Sequence, residues 1–293
     1  MKKIHLKIWA LAGILPLGGC ASLSSGFLLS PAGRIAAAER HEFLILGFIL
    51  LFVFAPVALC TPLFAWYYRR TNRKALYRPE WSFSWLLEVL IWVPPTGIVV
   101  LLSYFVIIYT TRLDPYRPIA AAAPALEVQV VALDWKWLFI YPAQNIATVN
   151  QLVMQAGQPV HLSLTSGTVM QSFFIPRLAG QIYVMNGMRT QLYLQAARPG
   201  AYMGENTQYN GDGFPQDKFS VLALAPPDFA RWMAAASTSA ASLDAAAYQT
   251  LSRQSVVPEP LIFGRVQPDL FGAILSQKLT PGYAQQHHEA GHG

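Results

Sequence analysis

Apolar positions fall into three regimes along this chain. The first is a pair of long uninterrupted runs. Phe43 to Tyr68 carries no charged residue, and neither does Val89 to Tyr109. About 20 residues of helix cross the roughly 30 Å hydrocarbon core of a bilayer. The pattern therefore predicts two transmembrane helices, 43–68 and 84–111. Trp66, Tyr67 and Tyr68 close the first run, and Trp81, Trp85 and Tyr109 flank the second, where amphipathic rings suit the membrane–water interface. The second regime has a period near two. "LEVQVVAL", "WKWLFIY", "TVNQLVM", "PVHLSLTS", "QSFFI", "TQLYLQA" and "FSVLALA" read as short strands, separated by turn signals such as Ala156-Gly157, Ser166-Gly167, Asn186-Gly187 and Pro199-Gly200. Strands at this spacing predict a Greek-key sandwich or barrel. The third regime begins after Pro226. "PPDFARWMAAA", "LDAAAYQTLSR" and "QPDLFGAILSQK" have helical patterns, with Pro227 and Pro268 where a helix would start.

Composition agrees with a membrane-bound chain. Of 293 residues, 54% are hydrophobic and 12% charged, too apolar for an ordinary soluble enzyme. The net charge of +6 is unevenly placed. From Arg112 onward the eleven Lys and Arg equal the eleven Asp and Glu. The excess sits at the extreme N-terminus and in "RRTNRKALYRPE", where Arg69, Arg70, Arg73, Lys74 and Arg78 face one acid, Glu80. Short loops rich in Lys and Arg stay in the cytoplasm, so the hairpin has both outer ends on the exported side. The charge is a topology signal and gives no reason to expect nucleic acid.

The N-terminus gives the same direction independently. Lys2, Lys3 and Lys7 precede the apolar stretch Ile8–Leu15, and "LPLGGC" ends at Cys20. This is an export signal, and its ending resembles a bacterial lipobox, in which Cys20 would carry lipid and become the mature N-terminus. An ordinary signal peptide with an incidental Cys is the alternative. The other cysteine, Cys60, lies in the first apolar run, so the exported part has no disulfide framework.

The arrangement resembles subunit II of the haem–copper respiratory oxidases. "DWKWLFIYP" (134–142), "VMQSFFIPRLAGQIYVMNGM" (169–188) and "PDLF" (268–271) are similar to the quinol-oxidising branch, the cytochrome bo-type ubiquinol oxidases. The likeness runs from about Cys20 to Tyr283 and implies a cupredoxin fold for the β-rich part. It implies a partner subunit I that holds the haems and copper, smaller subunits beside it, and ubiquinol as the donor of the complex. No cofactor is expected in this chain. Relatives that oxidise cytochrome c hold a dinuclear copper in this domain, with one His before Ser-Phe and a loop of the form Cys-x-Glu-x-Cys-x-x-x-His-x-x-Met. Here those positions read Gln171, Asn206, Gln208, Asn210, Phe214 and Asp217. Residue chemistry leads to the same expectation. Redox copper needs thiolate and imidazole, yet no Cys follows residue 60 and His161 is the only His between 42 and 286.

The glycine-rich run "GENTQYNGDGF" (204–214) then reads as a metal loop whose ligands have been replaced, with its Gly and Asn residues serving turns. "WKW" (135–137) corresponds to an electron-entry motif, or its aromatics pack on the catalytic subunit. His161 alternates with apolar residues in a strand. Met170, Met185, Met188 and Met203 read as core, and "HHEAGH" (287–292) as a polar tail rather than a metal site. Glu88 is the only ionisable residue in the second span, a functional candidate at membrane depth. The resemblance places a proton-entry glutamate at this point. Counting seven residues from Trp81 as helix puts it about 10 Å deep.

The expected layout is a signal at 1–19, an exported segment at 20–42, spans at 43–68 and 84–111 joined by a loop at 69–83, a linker at 112–124, a cupredoxin-like domain at 125–225, a helical extension at 226–282 and a tail at 283–293. The chain is expected in the bacterial inner membrane, with its N-terminus and C-terminal domain in the periplasm. It would be a copper-free subunit without contact to cytochrome c. A cytochrome c oxidase subunit II is the alternative, but it would need a Cys pair and an acidic docking face. A freestanding lipoprotein would leave the hairpin unexplained.

Overall fold

The computed structural model describes residues 29–76, 78–121 and 123–279. The export signal, Cys20 and the 283–293 tail lie outside the described residues. The chain divides into two compact units, one of residues 40–114 and one that joins 1–39 to 115–293.

Two helices form the first unit: α1 (Arg34–Tyr67) and α2 (Trp85–Arg112). Both are long and apolar enough to cross a membrane. Helix α1 starts ahead of the uncharged run, at Arg34, and its first residues belong to the second unit. Within both helices hydroxyls fold back on the preceding turn. Thr61 donates to the Val57 carbonyl at 2.7 Å and Ser103 to that of Val99 at 2.8 Å. A side-chain hydroxyl is thereby satisfied where lipid offers no partner. Past α1 the loop folds under the helix end: Asn72 Nδ2 donates to the Tyr67 carbonyl at 2.6 Å, and the Arg69 guanidinium stands 4.8 Å over the Trp66 ring.

The second unit is a sandwich of two sheets. Its strands are β1 (Leu126–Leu133), β2 (Lys136–Tyr141), β3 (Ile146–Val149), β4 (Gln151–Gln155), β5 (Val160–Ser166), β6 (Gln171–Ile175), β7 (Ala179–Val184), β8 (Thr190–Leu194), β9 (Gly200–Asn206) and β10 (Lys218–Leu224). After them come α3 (Pro226–Ser237), β11 (Ser242–Leu243), α4 (Ala245–Leu251), β12 (Leu261–Phe263), β13 (Arg265–Val266) and α5 (Leu270–Leu275). The first sheet has the order β12-β3-β2-β1-β5-β8 and the second β4-β10-β9-β6-β7. Two of the pairs in them, β1 with β5 and β10 with β4, are parallel. Crossing repeatedly between the sheets gives the Greek-key sandwich of a cupredoxin-like domain.

The expected strand "TVNQLVM" is two strands in different sheets. Asn150, in the left-handed region at φ 58°, is the hinge between them. Its side chain accepts from Trp137 N–H at 2.9 Å and donates to the Val257 carbonyl at 2.9 Å, so the bend is held from both sides. Strands β7 and β9 were not expected. Strand β9 holds Gly200 and Gly204 at positions where alternation would otherwise show. A Cβ at Gly204 would overlap the Phe219 ring, so a core aromatic takes the space of the missing side chain.

The main core lies between the sheets, around Trp137, Phe139, Phe173, Leu162, Leu164 and Phe219. A second core lies on the outer face of the first sheet. There Val131, Leu138 and Ile140 are covered by Tyr248, Phe271 and Ile274 of the C-terminal extension. Strand β2 is therefore buried on both faces. The segment before α1 is also built into this unit. Ala32 and Gly33 N–H groups donate to the Arg177 carbonyl at 2.8 and 3.2 Å, and Ala197 N–H donates to the Ala32 carbonyl at 2.8 Å. Gly33 sits so close to the Gln195 and Leu178 carbonyls that a Cβ would press on both.

Candidate functional site

The six residues that the resemblance sets against copper-ligand positions, Gln171, Asn206, Gln208, Asn210, Phe214 and Asp217, lie at one end of the sandwich. Gln171 opens β6, Asn206 ends β9, and Asp217 precedes β10 at the end of a short 3₁₀ turn, Phe214–Gln216. Gln171, Asn206 and Asp217 are all buried. Asp217 is the centre: its Oδ2 accepts from Asn206 Nδ2 at 3.0 Å and from Asn210 Nδ2 at 2.9 Å. Asn206 also knits the turn, because its Oδ1 accepts from Gln208 N–H at 3.0 Å and Ser172 N–H at 2.9 Å. Gln171 turns away, donating to the Leu133 carbonyl at 2.9 Å. Phe214 meets the exposed Tyr209 ring at 5.7 Å.

Burial pushes the Asp217 carboxyl up to about 6, against the pull of Asn210, Asn206 and the Trp137 indole, while Asp134 adds to the rise. Such a set is wrong for copper. The atoms aimed at the centre are amide N–H donors, which repel a cation, and the remaining oxygens are hard ligands with no thiolate or imidazole among them. Among the described residues, no group of three His, Cys, Asp or Glu could hold a metal. The cluster keeps buried polar atoms without hydrogen-bond partners, including Gln171 Oε1, Asn210 Oδ1 and Asp217 Oδ1.

The glycine-rich loop holds a side chain. Trp135 lies in the left-handed region at φ 64°, a costly place for a bulky residue. Its indole N–H donates to the Asn210 carbonyl at 3.2 Å. Gly211, at φ 109°, and Gly213 lie against its ring, and a Cβ at Gly213 would overlap the ring atoms. The next two residues diverge. Trp137 packs inside the main core, 5.2 Å from Phe173 and 5.5 Å from Phe219. It is interior to this domain.

Lys136 points to the opposite face and is fully buried. Its ammonium donates to the Leu251 carbonyl at 3.0 Å, the Arg253 carbonyl at 2.7 Å and the Ser255 hydroxyl at 2.8 Å. Burial lowers its pKa to about 8, with Asp134 and Asp217 pulling the other way. Lys136 thereby ties the C-terminal segment to β2. Its role was not legible in the sequence motif "WKW". The available signal was its place in the alternation, on the same face as Leu138 and Ile140.

Glu88 lies in the first turn of α2, which begins at Trp85. Residues 81–84 are not helical, so the depth counted from Trp81 along a helix does not apply. The side chain accepts from Trp92 Nε1, one turn on, at 3.1 Å. A carboxylate in a first turn also faces the positive end of the helix dipole. His161 sits on β5 between Glu127, 2.7 Å away, and Gln191, 3.0 Å away, with its ring stacked 4.4 Å from Tyr193. The methionines depart from expectation. Met170, Met188 and Met203 are 42%, 52% and 60% exposed, and Met185 is half-buried. They lie on outward positions of the second sheet or in its turns, not in the core.

No protein-family model matches the chain. It is 41% identical over 281 residues to the cytochrome bo(3) ubiquinol oxidase subunit 2 of Pseudomonas putida, across 95% of this chain and 90% of that one. It is 43% identical over 276 residues to the ubiquinol oxidase subunit 2 of Acetobacter aceti, across 91% and 89%. Among solved structures, the periplasmic domain of subunit II of cytochrome oxidase of Bradyrhizobium japonicum is similar at 17% identity and TM-score 0.37, over 39% of this chain and 96% of that chain. With such identity across nearly the full length of both relatives, the chain belongs to the family of ubiquinol oxidase subunit 2.

Proposed function

We propose that this chain is the second subunit of a proton-pumping oxidase complex that takes electrons from ubiquinol and reduces oxygen to water. It is a structural and assembly subunit. The haems, the copper and the quinol chemistry belong to subunit I, and smaller subunits complete the assembly. The names of the relatives support this, and the observation that carries it is the polar cluster around Asp217. Where an electron-accepting centre would sit there are two asparagines donating to a buried carboxylate. Nothing in that set changes oxidation state, so an electron arriving at Trp135 has no acceptor in this domain. Cytochrome c is therefore not the donor.

The hairpin anchors the chain in the inner membrane, with the sandwich on the periplasmic side. Cys20 carries lipid as the mature N-terminus. This anchor adds about 0.8 kcal/mol per buried CH₂, far less than two spans supply, and retention does not depend on it. Mass spectrometry of the mature N-terminus decides this. An unprocessed Met1 or a free thiol at residue 20 would refute it.

Glu88 is the proton-entry residue of this subunit. It is an ionisable side chain at the start of α2, hydrogen-bonded only within its own helix among the described contacts, so it is available to pass a proton to a neighbouring subunit. The purified complex should turn over with ubiquinol and not with reduced cytochrome c; rapid oxidation of cytochrome c would overturn the assignment. Glu88→Gln keeps the size and loses the proton. It should assemble with full haem content and turn over more slowly, and native turnover across the pH range would make Glu88 structural.

A further inference from the structure

The loop between α1 and α2 closes over a cavity of about 780 Å³. Arg69, Arg70 and Arg78 line it, together with Tyr68, Leu76 and Trp81 of the loop and Leu87 of α2. The backbone is fixed where the arginines leave it. Asn72 N–H donates to the Arg69 carbonyl at 2.9 Å, and Trp81 N–H to that of Arg78 at 3.3 Å. Asn72 also ties the loop to the end of α1. Its Nδ2 bonds the Tyr67 carbonyl, and its Oδ1 accepts from Lys74 N–H at 3.2 Å. Arg69 is held through its side chain as well. Its guanidinium stands over the Trp66 ring, and its Nε donates to the Thr71 hydroxyl at 3.1 Å. The terminal nitrogens of that fork remain for another acceptor. None of the three arginines makes an ion pair among the described residues. Glu80, the one acid of the loop, is not in the lining.

We propose that this cavity binds the phosphate headgroup of an anionic phospholipid. Guanidinium groups match phosphate oxygens in paired hydrogen bonds, and three of them without a carboxylate partner call for an anion. The rest of the lining decides which anion. Tyr68, Leu76, Trp81 and Leu87 offer apolar surface, which suits the glycerol and first methylenes of a lipid and not a free phosphate. The place is also that of a headgroup. The cavity lies at the ends of two helices long and apolar enough to cross a membrane. Trp66, Tyr68 and Trp81 are more than half exposed there, and such rings sit at headgroup level. Basic pockets between spanning helices take anionic headgroups, and the volume is that of a ligand site. A zwitterionic lipid would bring an ammonium that the arginines repel. The inference goes beyond the net charge of the loop, because Arg73 and Lys74 carry the same charge and stand outside the lining.

That difference within one loop sets the test. The full-length chain, delipidated in a neutral detergent, is titrated with phosphatidylglycerol and followed by native mass spectrometry. One equivalent should be retained, more tightly than phosphatidylcholine; equal retention of the two lipids overturns the proposal. Each cationic contact is worth about fivefold, so Arg70→Gln with Arg78→Gln should weaken binding about thirtyfold. These two leave the contacts of Arg69 with Trp66 and Thr71 in place. Arg70→Gln alone, about fivefold weaker, serves if the double variant does not fold. Arg73→Gln with Lys74→Gln removes as much charge from outside the cavity and should leave the affinity unchanged. Equal losses in the two double variants would mean that only net charge is read, and the site would be refuted. Arg70→Lys with Arg78→Lys keeps the charge and loses the planar fork. Its affinity should stay below native, and full native affinity again counts against a built site. Millimolar inorganic phosphate should not displace the lipid. Displacement would assign the cavity to free phosphate and overturn the lipid assignment.

Discussion

The carboxyl of Asp217 should make the sandwich less stable at neutral than at acid pH, and Asp217→Asn should abolish that dependence. In the unfolded chain this side chain titrates near its ordinary value of 3.8, and in the fold burial raises it to about 6. Between those values the folded chain holds more protons than the unfolded one, so this group's contribution to stability falls as pH rises from 3.8 to 6. One pKa unit corresponds to about 1.4 kcal/mol, which makes the full change about 3 kcal/mol. Asp217 is fully buried, so little of this is lost to solvent screening. The variant keeps an oxygen to accept from Asn206 and Asn210 and cannot ionise. Its stability relative to the native chain should therefore rise by about 3 kcal/mol between pH 3.5 and 7. The assay is urea unfolding of the full-length chain in detergent, followed by near-ultraviolet circular dichroism. Detergent keeps the two apolar helices folded, so the transition reports the sandwich. Taking the difference between the two chains cancels the other titrating groups. If that difference is flat from pH 3.5 to 7, Asp217 is not the ionisable centre described.

Lys136→Met keeps the length of the side chain and removes the ammonium that donates to the Leu251 and Arg253 carbonyls and the Ser255 hydroxyl. It should cost about 2–5 kcal/mol and open the chain to trypsin at Arg253, and unchanged resistance there would contradict the staple. Gly213→Ala drives a methyl into the Trp135 ring. It should cost about 1–3 kcal/mol and shift tryptophan emission as the ring leaves its place; native emission and stability would show that the loop does not hold Trp135.

The sequence by itself determined the two long apolar helices and the β-rich class of the domain that follows them. These follow from quantities that add along the chain: the length of an uncharged run and a period of two. The helix of "PPDFARWMAAA" likewise follows from local pattern, with prolines in its first turn. Which side chains could serve as soft metal ligands was legible too, because that is a matter of residue type and no folding can supply a missing thiolate. What the polar side chains at that end of the sandwich do was decided only by tertiary structure. That Asp217 draws in Asn206 and Asn210 depends on β9 and β10 pairing so that 206 and 217 meet, a contact of chain ends eleven residues apart. Asn150 splits an apparently continuous strand because its side chain bonds to Val257, more than a hundred residues away. The methionines read as core from their chemistry alone, but turns and one outward strand position put them at or near the surface. Lys136 is buried because an extension covers the outer face of its sheet, and no local window of sequence contains both the lysine and its cover. Local pattern fixes which faces are apolar; only the folded chain decides what lies against each of them.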